Sequence, residues 1–220
     1  MHFKGIIFDF NGVLIWDSPW QERAWKEYSK QLRGTAFSEE EMQIHVHGRN
    51  NRHTLFYLTG RELTGEELRQ RTQEKETIYR NLCLEAGEAF RLSPGAACFL
   101  DWLKENKIPR TIATASEISN LEFFIHHLNL DCWFDVNRIV FDDGSIKGKP
   151  DPEIYLKAAA GIELPPELCV VVEDSVSGIK AAHSAGIGCI IGLGAPAGTQ
   201  SCQFEIRDFF QFPKMLFFAQ

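Results

Sequence analysis

Six polar side chains stand directly after apolar runs or just before a helical segment, and their types could serve one chemistry together. These residues are Asp9, Thr114, Ser116, Lys149, Glu173 and Asp174. Three of them are carboxylates, two are hydroxyls and one is an amine. Carboxylate oxygens are the ligands that hard cations such as Mg²⁺ take, whereas amines and hydroxyls bind phosphate oxygens. Brought together, the six would make a site for a hard cation and an anion.

The segments around these residues predict a fold that would bring them together. From residue 93 onward, strand-like runs such as TIATAS, CVVVE and IGCIIGLG alternate with helical segments, as in a parallel sheet covered on both faces. Residues 16–87 show helical patterns without an intervening strand. We therefore expect an α/β fold: a Rossmann-like parallel sheet core, residues 1–15 and 88–220, with an inserted helical cap domain, residues 16–87, after the first strand.

Local signals predict several element ends. Ser18 followed by Pro19 is typical of an N-cap and first helical position, and Ser38 and Thr64 are expected to cap the next helices. The segment WFDVNRIVF, residues 133–141, is expected to be a strand.

The stretch FDFNGVL allows two interpretations, because Asn-Gly between apolar residues is a strong hairpin signal. Alternatively, Asp9 ends a parallel strand at the edge where such sheets bind ligands.

Composition narrows the class of protein. The net charge is -7 and no strongly basic stretch occurs, so a nucleic-acid partner is not expected. No apolar run approaches the ~18 residues of a membrane span, and no signal peptide is visible. The six cysteines are widely spread without a CxxC pair, which favours reduced, buried thiols. We expect a cytoplasmic protein, a monomer by default, whose aromatic C-terminal segment packs onto the core.

Four motifs occur in order along the chain: FDFNGVL, IATAS, KGKPDPEIY and VVVEDSVSGIKAA. With these four motifs in this order, the chain resembles the haloacid dehalogenase superfamily, and more narrowly its β-phosphoglucomutase-like branch with a helical cap. The resemblance covers nearly the whole chain and implies a haloacid dehalogenase-like core. Each motif alone is a weak signal, but together they make a strong one.

The resemblance implies a mechanism. Asp9 would be the nucleophile that attacks phosphorus and forms an aspartyl-phosphate. Mg²⁺ would be held by Asp9, Asp174 and the main-chain carbonyl of Asn11, with Glu173 binding it directly or through water. The cation would suppress the repulsion between the carboxylate and the phosphoryl group.

The same resemblance implies a substrate-binding set. Lys149 would neutralise charge on the nucleophile and the phosphoryl group. The Thr114 hydroxyl, with backbone N–H groups at Ala115 and Ser116, would bind phosphoryl oxygens. In the cap segment HGRNNRHT, Arg49 is the best candidate for binding a second anionic group of the substrate.

Two residues depart from the family pattern. The first motif usually carries a second aspartate that works as general acid and base, and here that position is Asn11, whose amide can do neither. Glu22, His47 and His53 are alternative proton donors from the cap segment. Gln21 stands where the branch often has a histidine, which weakens the mutase interpretation.

The sequence therefore predicts a Mg²⁺-dependent phosphatase that acts on a small phosphorylated metabolite, such as a sugar phosphate, with turnover impaired by Asn11. Alternatives are a β-phosphoglucomutase-like phosphotransferase and a weakly active or silent phospholigand-binding protein. Dehalogenation is not expected, because Glu173 and Asp174 complete a metal set that a metal-free dehalogenase does not need.

Overall fold

The computed structural model describes residues 2–47, 49–194 and 202–218. The chain forms two compact units: Asp17–Phe90, and Met1–Trp16 together with Arg91–Gln220. We call the second of these the core unit and the first the cap unit. The two units are described separately below.

Within the described residues, a sheet of six parallel strands runs through the core unit in the order β3-β2-β1-β4-β5-β6. The strands are β1 (Gly5–Phe8), β2 (Arg110–Glu117), β3 (Val140–Asp142), β4 (Cys169–Glu173), β5 (Cys189–Leu193) and β6 (Phe204–Ile206). Ile7 of β1 lies opposite Thr111 of β2 and Val171 of β4. Every residue of β1, β4 and β5 is buried, which explains their continuous apolar runs.

Helices cover this sheet and build the cap unit. The cap unit contains α1 (Ser18–Arg33), α2 (Glu39–His45), α3 (Asn51–Thr59) and α4 (Gly65–Glu85); the core unit contains α5 (Ala96–Glu105), α6 (Ile118–Leu128), α7 (Glu153–Gly161) and α8 (Val176–Ser184). The parallel α/β fold that was expected from the alternation of strands and helices is confirmed. Across the described ranges, no helix combines the length and apolar character needed to cross a membrane.

Two strands differ from the prediction. The segment 133–141 forms a strand only from Val140 onward, because the Asp135 side chain accepts a hydrogen bond from the backbone of Asn137 and a 3₁₀ helix (Val136–Arg138) intervenes. Strand β6 was missed. Two of its three residues are exposed, so this edge strand carries no apolar run that sequence patterning could detect.

Helix caps were predicted with mixed success. Ser38 and Thr64 each accept a hydrogen bond from the third helical residue and complete capping boxes, as expected. The prediction for Ser18 is wrong, since helix α1 begins at Ser18 and its N-cap is Asp17, which makes no side-chain cap bond. The Asp17 carboxylate instead accepts a hydrogen bond from the Tyr79 hydroxyl at 2.7 Å.

The aromatic C-terminal segment packs onto the core of its own unit, as expected. The ring of Phe8 lies 6.2 Å from Phe99, 6.0 Å from Phe134 and 5.9 Å from Phe209, measured between centroids. Each such pair contributes roughly 0.5–1.5 kcal/mol beyond the burial of apolar area. Strand β1, which ends next to the candidate site, is thus anchored from three directions.

Candidate active site

Carboxylates from two neighbouring strands meet at the carboxyl edge of the sheet. Asp9 follows β1 directly and its backbone N–H donates to the Val172 carbonyl at 3.0 Å, which continues the pairing with β4. Glu173 ends β4 and Asp174 follows it. One carboxylate oxygen from each of these three residues lies within 4.8 Å of the others. The parallel register of β1 and β4 is what brings them together.

The hairpin interpretation of FDFNGVL is wrong, because β1 pairs in parallel with β2 and β4. The chain turns sharply after Asn11 instead. Gly12 has a φ of 81°, and its N–H donates to the Ile15 carbonyl at 2.8 Å. A Cβ at position 12 would lie 2.0 Å from Oδ2 of Asp174. Glycine is therefore required both by the turn and by the close approach of this carboxylate.

Lys149 lies between two of the carboxylates. Its Nζ is 2.5 Å from Asp9 Oδ1 and 2.5 Å from Glu173 Oε1, and its side chain is only 9% exposed. Burial opposes the ammonium charge, but the two carboxylates outweigh it and hold the pKa of Lys149 well above its ordinary value. The lysine is therefore a fixed positive charge beside Asp9.

The Glu173 carboxylate is fully buried and surrounded by donors. Oε1 accepts from the Tyr155 hydroxyl at 2.9 Å as well as from the lysine. Oε2 accepts from the backbone N–H groups of Asp174 and Ser175, both at 2.8 Å, and from the Ser175 hydroxyl at 3.0 Å. A Cβ on Gly178 would lie 1.6 Å from Oε1. The geometry suits an anchor for the lysine and the loop after β4.

Negative charge in this cluster exceeds the one lysine. Burial, followed by the charges of Asp9 and Glu173, raises the pKa of Asp174 to about 8. A positive charge bound beside Asp174 would offset this repulsion. Oxygen donors on Asp9 and Asp174 are the type that Mg²⁺ prefers, so these residues fit a divalent cation.

The hydroxyls near the carboxyl end of β2, on Thr114 and Ser116, have partners within the protein. Thr114 is buried, and its Oγ1 accepts from the Ser116 N–H at 3.0 Å. The Ser116 hydroxyl donates to Oδ1 of Asn11 at 2.8 Å. Ala115, between them, is exposed. The amide at position 11 is thus held by a residue that sequence reasoning had placed on the substrate.

The candidates from the cap segment all lie in the cap unit. Arg49 is exposed, and its Nε donates to the Ile44 carbonyl at 3.3 Å. His47 lies 3.1 Å from the Glu22 carboxylate, so two of the alternative proton donors contact each other. Burial, followed by the Arg49 charge, lowers the pKa of His53 below its ordinary value.

Sequence reasoning missed a buried lysine in the cap unit. Lys75 is 1% exposed and donates to Gln21 Oε1 at 2.6 Å and to Glu76 Oε1 at 3.0 Å. Its Nζ also lies 5.0 Å from the Trp25 ring and 5.3 Å from the Tyr79 ring. Gln21, which stands where the resemblance leads one to expect a histidine, is therefore an acceptor for this lysine.

Tyr155, Ser175 and Gly178 were also missed in the core unit. Tyr155 and Ser175 donate hydrogen bonds to the Glu173 carboxylate, and the absence of a side chain at Gly178 leaves room for it. Their one sequence signal is proximity to Lys149 and Glu173 in the third and fourth motifs, where a tyrosine and a Ser-x-x-Gly step follow.

The fold and the site together define a class: parallel α/β proteins with a carboxylate–lysine centre at the carboxyl edge of the sheet. A sequence model of one family of this class, described as haloacid dehalogenase-like hydrolase, matches residues 3–186. The chain belongs to this family of enzymes.

Curated relatives and solved structures agree with this assignment. The chain is 31% identical to a phosphorylated carbohydrates phosphatase of Thermotoga maritima over 86% of this chain and 85% of that protein. It is 30% identical to a β-phosphoglucomutase of Bacillus subtilis over 88% and 85% of the two chains. A hydrolase of family IA, variant 3, from Entamoeba histolytica matches with a TM-score of 0.89 and 35% identity over 97% of each chain.

Proposed function

We propose that this chain is a Mg²⁺-dependent phosphatase of a small phosphorylated carbohydrate and that it works through an aspartyl-phosphate on Asp9. One observation carries the proposal: Asp9 lies at the carboxyl end of the central strand β1, with Lys149 Nζ 2.5 Å from one of its oxygens and the Asp174 carboxylate close by. The relative of Thermotoga maritima, named for activity on phosphorylated carbohydrates, supports the substrate class.

Asp9, Asp174 and the main-chain carbonyl of Asn11 would hold the cation. When bound, the cation would offset the repulsion between the carboxylates and an incoming phosphoryl group. Glu173 accepts hydrogen bonds at both of its oxygens, so we assign it to positioning Lys149 and the loop after β4 instead of to direct ligation.

The reaction would have two steps, transfer of the phosphoryl group to Asp9 and hydrolysis of the aspartyl-phosphate. Asp9 Oδ attacks phosphorus, and the alcohol of the substrate leaves. Lys149 stays charged throughout and stabilises negative charge on the phosphoryl oxygens. The Thr114 hydroxyl and the backbone N–H groups of Ala115 and Ser116, near the carboxyl end of β2, would bind those oxygens. Water then hydrolyses the aspartyl-phosphate and releases phosphate.

Asn11 limits both proton transfers in this scheme. An amide cannot protonate the leaving alcohol or take a proton from water, and general acid–base catalysis is typically worth about 10²–10⁴-fold. We therefore expect slow hydrolysis, with preference for substrates whose leaving group needs no proton. Arg49 remains the proposed contact for a second anionic group of the substrate.

The decisive experiment compares the wild type with Asn11→Asp on an activated aryl phosphate and on a panel of sugar phosphates, each with Mg²⁺. We expect Asn11→Asp to raise kcat on both kinds of substrate by about 10²–10⁴-fold, because both pass through the same aspartyl-phosphate, whose hydrolysis needs a base. The value of kcat/KM, which reports the first phosphoryl transfer, should rise much less for the aryl phosphate than for the sugar phosphates, because the aryl leaving group needs no proton. A fast wild type that Asn11→Asp leaves unchanged would show that the acid–base argument is wrong.

The same panel of substrates tests two other functions. The similarity to a β-phosphoglucomutase favours a phosphotransferase, which would convert a sugar monophosphate into its isomer without releasing phosphate. The amide at position 11 favours a phospholigand-binding protein, for which calorimetry would show Mg²⁺-dependent phosphate binding and no product. That the chain acts as a monomer in the cytoplasm stays a prediction.

A further inference from the structure

Asn11 is the only asparagine of the chain that glycine follows. In such a pair the backbone nitrogen of the second residue can attack the side-chain amide carbon of the first and close a five-membered ring. A side chain on the second residue obstructs this attack, and glycine has none. Because both groups belong to one short segment, the reaction benefits from the high effective concentration of an intramolecular step.

One contact of Asn11 favours attack on its amide carbon. Oδ1 accepts a hydrogen bond from the Ser116 hydroxyl at 2.8 Å. When the Gly12 nitrogen adds to the carbon, negative charge develops on Oδ1, and a donor already in place stabilises it as an oxyanion hole does.

The turn at Gly12 slows ring closure in the folded protein. The Gly12 N–H donates to the Ile15 carbonyl at 2.8 Å, and this bond must open before the ring can close. A Cβ at position 12 would meet the Asp174 carboxylate at 2.0 Å, so the turn has no room for any residue that would block the attack. The folded protein therefore reacts at this site more slowly than an unfolded chain does.

We propose that Asn11 is a deamidation site and that its aspartate product supplies the acid–base carboxylate that the newly made chain lacks. The Gly12 nitrogen bonds to Cγ of Asn11, the Cγ–Nδ2 bond breaks, and ammonia leaves with the proton from the Gly12 N–H. Water then adds at Cγ and the bond from Cγ to the Gly12 nitrogen breaks. The normal peptide bond to Gly12 is kept, and the side chain at position 11 is now a carboxylate.

The consequence for activity rests on the proposed function, whereas the deamidation itself does not. An aspartate at position 11 would keep its hydrogen bond from Ser116 and would gain a proton to give and take. The chain would then be made as a slow enzyme and would speed up as it ages. Ring opening at the main-chain carbonyl would instead give isoaspartate, which displaces the carbonyl at position 11.

The test follows the full-length protein during incubation at physiological temperature and mildly alkaline pH. Peptide mapping by mass spectrometry separates asparagine, aspartate and isoaspartate at position 11, with Asn106, which Lys107 follows, as an internal control in the same digest. Phosphatase activity is measured on the same samples. Asn11→Gln is the matched control, because it keeps an amide but cannot form the five-membered ring.

We expect aspartate to accumulate at position 11 and not at position 106, and kcat to rise in proportion to that aspartate toward the value of Asn11→Asp. The Asn11→Gln variant should gain neither the mass shift nor the activity. Ser116→Ala should slow the mass shift severalfold, because Oδ1 loses its donor.

Two outcomes would overturn the proposal, and a third would separate it from the proposed function. An amide that persists at position 11 in the aged folded protein, while the urea-unfolded chain deamidates, overturns the proposal. Conversion to isoaspartate alone, without gain of activity although Asn11→Asp is active, also overturns it. If aspartate forms but Asn11→Asp itself is inactive, the site of deamidation stands and the proposed phosphatase function fails.

Discussion

Each unit of the molecule holds a lysine that is almost fully removed from water, and their surroundings differ. Lys75 in the cap unit faces one carboxylate, one amide and two aromatic rings. Lys149 in the core unit faces two carboxylates, while the third, on Asp174, lies within reach of the same cluster. The first lysine is locally neutralised. The second stands in an excess of negative charge that favours binding of a cation, and a bound cation together with the lysine would then attract an anion. Lys149 is therefore the lysine that we assign to chemistry.

The largest expected difference between the two regions comes from their carboxylates. Asp9→Asn should reduce phosphatase activity to background, because the amide cannot attack phosphorus. The matched change in the cap unit, Glu76→Gln, leaves the proposed nucleophile intact and should retain most of kcat on an aryl phosphate. Steady-state rates and circular dichroism of both purified variants make the comparison. Activity surviving in Asp9→Asn would disprove the nucleophile assignment.

The lysines themselves give the next comparison. Lys149→Met and Lys75→Met should each lower the free energy of unfolding by about 3–5 kcal/mol, because each leaves a buried carboxylate without its partner. Activity should separate them: Lys149→Met should abolish turnover, whereas Lys75→Met should keep kcat on an aryl phosphate within about 10-fold. Denaturant unfolding gives the first quantity and steady-state kinetics the second. Equal losses of kcat would remove the distinction drawn above.

Mg²⁺ should stabilise the core unit alone. A cation held by Asp9 and Asp174 relieves repulsion between carboxylates only in the folded protein, so saturating Mg²⁺ should raise the free energy of unfolding by about 2.7 kcal/mol at a hundredfold excess over Kd. Differential scanning calorimetry with and without EDTA would measure the rise in Tm. Asp174→Asn should abolish this rise, while Glu76→Gln should keep it; a rise that persists in Asp174→Asn places the cation elsewhere.

The smallest effect concerns two buried tyrosines whose hydroxyls donate to carboxylates, Tyr155 to Glu173 at 2.9 Å and Tyr79 to Asp17 at 2.7 Å. Each Tyr→Phe change should cost about 1.5–3 kcal/mol of stability. Only Tyr155→Phe should also lower kcat, by up to about 10-fold, because Glu173 positions Lys149. Parallel measurement of Tm and kcat tests this, and a normal kcat in Tyr155→Phe would leave that tyrosine a purely structural role.

Much of the sheet could be predicted from the sequence for a physical reason. Strands β1, β4 and β5 are buried on both faces, so each is a continuous apolar run, and β1 and β4 lead directly into the carboxylates of the site. Strand β6 is an exposed edge and left no such run. The first helix begins one residue earlier than predicted, with Asp17 as its N-cap, and the Asp17 carboxylate accepts from Tyr79, 62 residues away, a contact that no local sequence signal reveals.

The sequence by itself determined which chemical groups stand at the strand ends and in which order, since the continuous apolar runs that lead to Asp9 and Glu173 are typical of buried parallel strands. Only the tertiary structure decided their partners. It placed Lys149 between two carboxylates, closed Tyr155 onto Glu173, and joined Asn11 to Ser116 across 105 residues. The reason is that strands neighbouring in the sheet are distant along the chain, and a hydrogen bond depends on distance and angle in space, whatever the separation in sequence.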